Sequence, residues 1–234
     1  NSLQAIVYRN DEKINLTGKY AGRPFETHEN SEVIYDSQQY KEGLLRVIIN
    51  KPFYEDKMPA MLFIPGYTCS SIDNLASNHP YKRIIDAFVN AGYVTLRIEK
   101  SGLGDSKNTP ECESCDLVDE VENFEAGLLK LKSLPYVDTN KIIIAGHSMG
   151  GIIAPAISAN HNVAGVIVYG TSAKSWFEYI IEMHRVQNHL AGMDPIEHEK
   201  SVRDQYDLNY RFYVKKESLE EIANTTEADS ILRT

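Results

Sequence analysis

A serine set between glycines, Gly146-His147-Ser148-Met149-Gly150, follows the apolar run Ile142 to Ala145 and precedes the small, helix-compatible segment GIIAPAISA. A strand that turns sharply into a helix is the setting in which G-x-S-x-G presents a nucleophile: the Oγ projects from the carboxyl edge of a sheet, and the glycines let neighbouring chain pass close. Such a serine attacks an acyl carbon and forms a covalent intermediate that water then releases. The charge that develops on the carbonyl oxygen needs donors placed where it appears. The Met149 amide, at the helix N-terminus, is one candidate. The Tyr67 amide, in FIPGYTCSS where Gly66 permits a tight turn, is the second. The same three fixed residues recur by chance in chains of this size, so the flanking strand and helix carry the assignment.

Other candidates are weaker. The glycines of RIEKSGLGDS invite a dinucleotide-binding reading, but Gly102-x-Gly104 lacks the third glycine, so the segment reads as a loop after a strand. Cys112 and Cys115 have C-x-x-C spacing, yet no second C-x-x-C or H-x-x-x-H completes a zinc site, so no metal is expected. The surroundings of the pair do not open a helix straight from a strand, as a redox motif would, which leaves ordinary thiols or one disulfide. No cofactor is called for. With a net charge of −9 and a pI near 5.3, the chain offers no basic field or lysine- and arginine-rich run for nucleic acid. No apolar run reaches the roughly 18 residues that span a bilayer, so the expectation is a soluble protein without a membrane span.

The elements that must position Ser148 follow from periodicity. The first 50 residues hold short alternating runs, QAIVYR, KINLTGK, SEVIYDS and LLRVIINK, which read as strands of an antiparallel opening. From MPAMLFIPG onward, continuous apolar runs (AMLFI, YVTLRI, KIIIAG, VAGVIVYG) alternate with helical segments near Pro80 to Ala91, Cys115 to Leu134 and Gly150 to Ala159. Apolar runs without alternation are strands covered on both faces, so the expected fold is α/β with a mostly parallel sheet of βαβ units. After Gly170 strand character stops. The rest has apolar residues at helical spacing, broken near AGMDP.

FIPGYTCSS, RIEKSGLGDS and GHSMGG, in this order and spacing, resemble the oxyanion loop, strand-four loop and nucleophile elbow of the α/β-hydrolase superfamily, in its serine esterase, lipase and aminopeptidase-like branch. The likeness covers roughly Ile34 to Thr171. It implies Ser148 as nucleophile, Tyr67 and Met149 as backbone oxyanion donors, and a lid formed by the helices after Thr171. Pro65-Gly66 stands where many relatives have His-Gly, which affects the shape of the loop and leaves its donor in place. AIVYRNDEKINLTGK is similar to the closing strands of PDZ domains. The expected organisation is therefore residues 1–30 as N-terminal strands, the end of a PDZ-like module if that likeness holds, 31–171 as the hydrolase core, and 172–234 as a helical lid insertion. The loops that carry Cys69 and Cys112/Cys115 follow strands that are neighbours in this fold, so Cys69 is expected near one of the two. A bond there would point to a periplasmic or secreted protein, and its absence to a cytoplasmic one.

In the family's chain order, an acid and a histidine follow the serine on later strands. His184, His189 and His198 fall in the helical insertion, as do Glu178 and Asp194, while His147 adjoins the serine and points away from it. The chain is thus expected to lack the two closing strands together with the base and acid, which would lie beyond residue 234. VAGVIVYG is then left as a hydrophobic edge open to a missing C-terminal segment or another copy. The function implied is a serine hydrolase cleaving a carboxylic ester, thioester or small amide of a small-molecule or short-peptide substrate. The rival is a non-catalytic ligand-binding protein on the same fold.

Overall fold

A computed structural model describes residues 2–10, 12–19 and 24–224 of the chain. Strands β1 (Ser2–Arg9) and β2 (Glu12–Lys19) form an antiparallel hairpin that stands as a two-stranded sheet of its own. Such a pair is compatible with the end of a PDZ-like module and does not identify one.

The main sheet has six strands in the order β3-β4-β6-β5-β7-β8. β3 (Ser31–Tyr40) and β4 (Gly43–Pro52) pair antiparallel, and β4 runs antiparallel to β6 (Val94–Ile98). β5 (Met58–Ile64), β6, β7 (Val137–His147) and β8 (Gly165–Tyr169) are parallel. The expected antiparallel opening and parallel body are both present.

Both faces of the central strands are covered, which explains runs without alternation. Leu62, Ile64, Leu96, Ile98, Ile142 and Ile144 pack with Phe124, Leu128 and Leu131 of α2 (Leu117–Ser133) and with Ile153 and Ile157 of α3 (Gly150–Ser158). Met61, Phe63 and Ala145 point the other way and pack with Ile85 and Val89 of α1 (Pro80–Asn90). The helix starts have local causes. Pro80 opens α1 with the ring of His79 accepting the Tyr81 amide, and Asp116 forms a reciprocal capping box with Asp119 at α2.

The chain leaves β5 to build β6 on one side and returns to build β7 on the other. Parallel sheets open a crevice at such a reversal, outside the carboxyl ends of the strands. The loop after Ile64 and the turn after His147 meet there.

After β8 come α4 (Trp176–Leu190), α5 (Pro195–Asn209), a π-helical turn at Tyr210–Val214 and α6 (Leu219–Ala223). The break expected near AGMDP is the α4–α5 connection. Phe177 and Tyr206 join α4 to α5 with ring centroids 5.2 Å apart, and His184 shares a 2.7 Å hydrogen bond with Ser201. β8 pairs with β7 alone among the described residues, and its Val166 to Tyr169 are exposed.

Candidate active site

Ser148 follows the last residue of β7 and takes φ +52°, left-handed backbone that costs a side-chain-bearing residue of order 1–3 kcal/mol. The neighbouring glycines show what forces it. A Cβ on Gly146 would collide with the Gly150 carbonyl, and one on Gly150 would collide with the Ile64 and Pro65 carbonyls. The elbow is thus folded tightly on itself and pressed against the loop after β5. Its amide donates to the Tyr169 carbonyl at 3.1 Å, which fixes the turn to the end of β8.

The loop after β5 lies against the serine. A Cβ built on Gly66 would sit 3.3 Å from Ser148 Cβ and 3.4 Å from both His147 Nδ1 and Tyr81 Oη. Gly66 N–H donates to Tyr81 Oη at 3.1 Å, and Tyr81 Oη lies 2.7 Å from His147 Nδ1. The Tyr67 carbonyl accepts from Lys100 Nζ at 3.3 Å. The amides of Tyr67 and Met149 have no hydrogen-bond partner among the described residues, so the two expected oxyanion donors are unspent, while the Tyr67 side chain itself is exposed.

Two buried groups brace the surroundings. Lys100 pairs with Glu120 at 3.0 Å, both side chains more than nine-tenths buried. Burial pushes the Glu120 carboxyl upward, and the Lys100 ammonium opposes that shift. Burial likewise raises Glu99, whose carboxylate accepts from Ser71 Oγ at 2.5 Å and from the Ile72 amide at 3.3 Å. The Cys69–Cys112 disulfide, with Cα atoms 5.9 Å apart, ties the loop to the segment before α2 and leaves Cys115 free. The expectation that Cys69 meets one of the other two cysteines holds, and the partner is Cys112.

Two cavities adjoin these elements. One, of about 370 Å³, is walled by Pro65, Ile72, Leu75, Tyr81, His147 and Tyr169 among others. The second, of about 320 Å³, is walled by Tyr67, Met149, the disulfide and Glu120. Every wall residue of both precedes Gly170, so α4 to α6 do not close either cavity.

No histidine is hydrogen-bonded to Ser148 Oγ among the described residues. His147 engages Tyr81 and lies against the Tyr169 ring at 4.7 Å, His184 engages Ser201, and His161 pairs with Glu125. The carboxylates of Glu178 and Asp194 cap α4 and α5. Sequence reasoning missed Tyr81, Lys100 and Glu120. Tyr81 carries no signal beyond its place in the first turn of the helix that follows the Tyr67 loop, and Lys100 lies in a segment whose pattern says only that a strand has ended.

A family model described as serine aminopeptidase, S33 matches residues 76–210, more than half of the chain. It begins after the Tyr67 loop and runs through α4 and α5. The quorum-quenching protein AidA of Acinetobacter baumannii is 30% identical over 83 residues, 36% of this chain and 27% of that protein. Among solved structures, the hypothetical protein PA2218 from Pseudomonas aeruginosa matches at TM-score 0.53 and 16% identity, over 72% of this chain and 57% of that one. Est1E from Butyrivibrio proteoclasticus, solved with ferulic acid bound, matches at TM-score 0.50 and 22% identity, over 64% and 56%. The structural likenesses speak for the α/β-hydrolase fold. The chain spans just over half the length of these two structures and about a quarter of the curated relative.

Proposed function

The chain belongs to the serine aminopeptidase S33 family of α/β hydrolases, and from that premise we propose that it cleaves a carboxylic ester, thioester or small amide through an acyl-enzyme on Ser148. The observation that carries the proposal is the left-handed Ser148, seated beside Gly66, with the Tyr67 and Met149 amides both unspent. Attack of Oγ on the substrate carbonyl would form a tetrahedral oxyanion between those amides. Collapse would expel the alcohol, thiol or amine, and water would then release the acid. The walls of the 370 Å³ cavity suit a compact acyl or leaving group.

The base and its acid are proposed to come from polypeptide outside the described residues, with strands that pair with the open edge of β8. Two observations support this: no described histidine engages Ser148, and Val166 to Tyr169 present an apolar edge that a stable protein does not leave bare. α4 to α6 would act as a lid only if they move toward the cavities they do not now wall.

Stopped-flow mixing of the full-length protein with p-nitrophenyl acetate should give a burst of p-nitrophenol near one equivalent, followed by slower turnover. A histidine base predicts that kcat/KM falls as pH drops through about 6.5. Binding without release of p-nitrophenol would favour the non-catalytic ligand-binding alternative.

A further inference from the structure

We propose that Tyr81 and Lys100 are positioning residues that clamp the Tyr67 peptide from its two sides, so that its N–H faces the oxygen of the carbonyl whose carbon Ser148 attacks; the inference rests on the acyl-transfer reading and deepens it. Gly66 N–H, just before the proposed donor, is held by Tyr81 Oη at 3.1 Å. The Tyr67 carbonyl, just after it, is held by Lys100 Nζ at 3.3 Å. The group between them is the unspent amide. A donor helps catalysis only if it is oriented before charge develops, because reorienting it during reaction would cost what it returns.

The Tyr81 contact also reaches the elbow. A backbone N–H can only donate, so Tyr81 Oη accepts from Gly66, and the same oxygen shares a 2.7 Å hydrogen bond with His147 Nδ1. One hydroxyl thus joins the oxyanion loop to the residue before the nucleophile. The ring that carries it is fixed by Phe63 at 4.9 Å, His79 at 5.0 Å and His147 at 5.4 Å. On the other side, Lys100 is held by the Glu120 carboxylate at the start of α2. Paired in this way, the ammonium can stay buried next to the Tyr67 carbonyl.

A purely structural role, in which Tyr81 satisfies a stray amide and Lys100 fills a charged slot, would change stability without changing transition-state binding. The test uses full-length protein, a fluorophosphonate, and a trifluoromethyl ketone whose adduct with serine carries an oxyanion. Tyr81→Phe keeps the ring and removes the hydroxyl. We expect kcat to fall about 10- to 100-fold, less than or comparable to outright loss of an oxyanion donor. KM should stay within about two-fold, and ketone affinity should fall by the same factor as kcat. A folded Tyr81→Phe with unchanged kcat and ketone affinity overturns the clamp while leaving the acyl-transfer reading intact. Failure of the unsubstituted protein to be labelled by the fluorophosphonate or inhibited by the ketone overturns both. Should Tyr81→Phe not fold, Lys100→Met combined with Glu120→Leu removes the opposite hold and its counter-ion together, with the same results expected and the same result overturning it.

Discussion

At the scale of single residues, the molecule spends stability where chemistry is expected and recovers it nearby. Ser148 holds a left-handed backbone, and β6 and the segment after it carry buried polar pairs. One buried pair is Arg97 with Glu26. The Arg97 side chain is fully buried and donates to both Glu26 oxygens at 2.9 Å, and to the Ile72 carbonyl at 3.0 Å, in the segment that follows β5. Burial alone would raise the Glu26 carboxyl, but the Arg97 guanidinium and the Asn74 amide outweigh it and hold the pKa below 4.5. Glu26→Gln leaves a buried guanidinium without its counter-charge and should cost about 3–5 kcal/mol in urea unfolding. The sign of the pH dependence follows from the depressed folded value. The stabilisation is fully present above the unfolded pKa and is lost as pH falls through the folded one, so the gap between wild type and variant should close in acid. An equal gap at neutral and strongly acidic pH would contradict this account.

Among elements, the constraint specific to this chain is the disulfide. Cys69 and Cys112 are 43 residues apart in sequence and join the loop after β5 to the turn before α2. Closing a loop of that length restricts the unfolded chain by about 4 kcal/mol. Reduction by a dithiol, or Cys69→Ser with Cys112→Ser, should lower the urea midpoint correspondingly, and an unmoved midpoint would show the bond to be neutral. Much of the architecture was legible beforehand because its causes are local. Pro80 and Asp116 mark the starts of α1 and α2, unalternating runs mark doubly covered strands, and Gly146, Ser148 and Gly150 mark a turn too tight for side chains on its flanks. What could not be read is set by packing between distant segments. Tyr81 meets His147 across 66 residues because α1 lies on the sheet face opposite α2 and α3, and Lys100 meets the Tyr67 carbonyl across 33 because β5 and β6 are neighbours. The choice of Cys112 over Cys115 was beyond the C-x-x-C spacing for the same reason: a short 3₁₀ turn at Cys112–Ser114 buries the first thiol and leaves the second beside it free.

For the whole molecule, an acidic chain with no described helix long and apolar enough to cross a membrane carries a crevice at the reversal of its sheet and an apolar edge strand beside it. The two features are connected. β8 ends at Tyr169, whose carbonyl holds the Ser148 amide and which lines the 370 Å³ cavity, so whatever pairs with β8 adjoins the proposed nucleophile. That is where the proposed base would have to arrive, and it makes Ser148 as nucleophile the proposal on which the rest depends. The direct measurement is fluorophosphonate labelling of the full-length protein, followed by digestion and mass mapping of the modified peptide. One adduct is expected, on the peptide containing Ser148, absent from Ser148→Ala. An adduct that persists in Ser148→Ala, or that maps to any other serine, would contradict it.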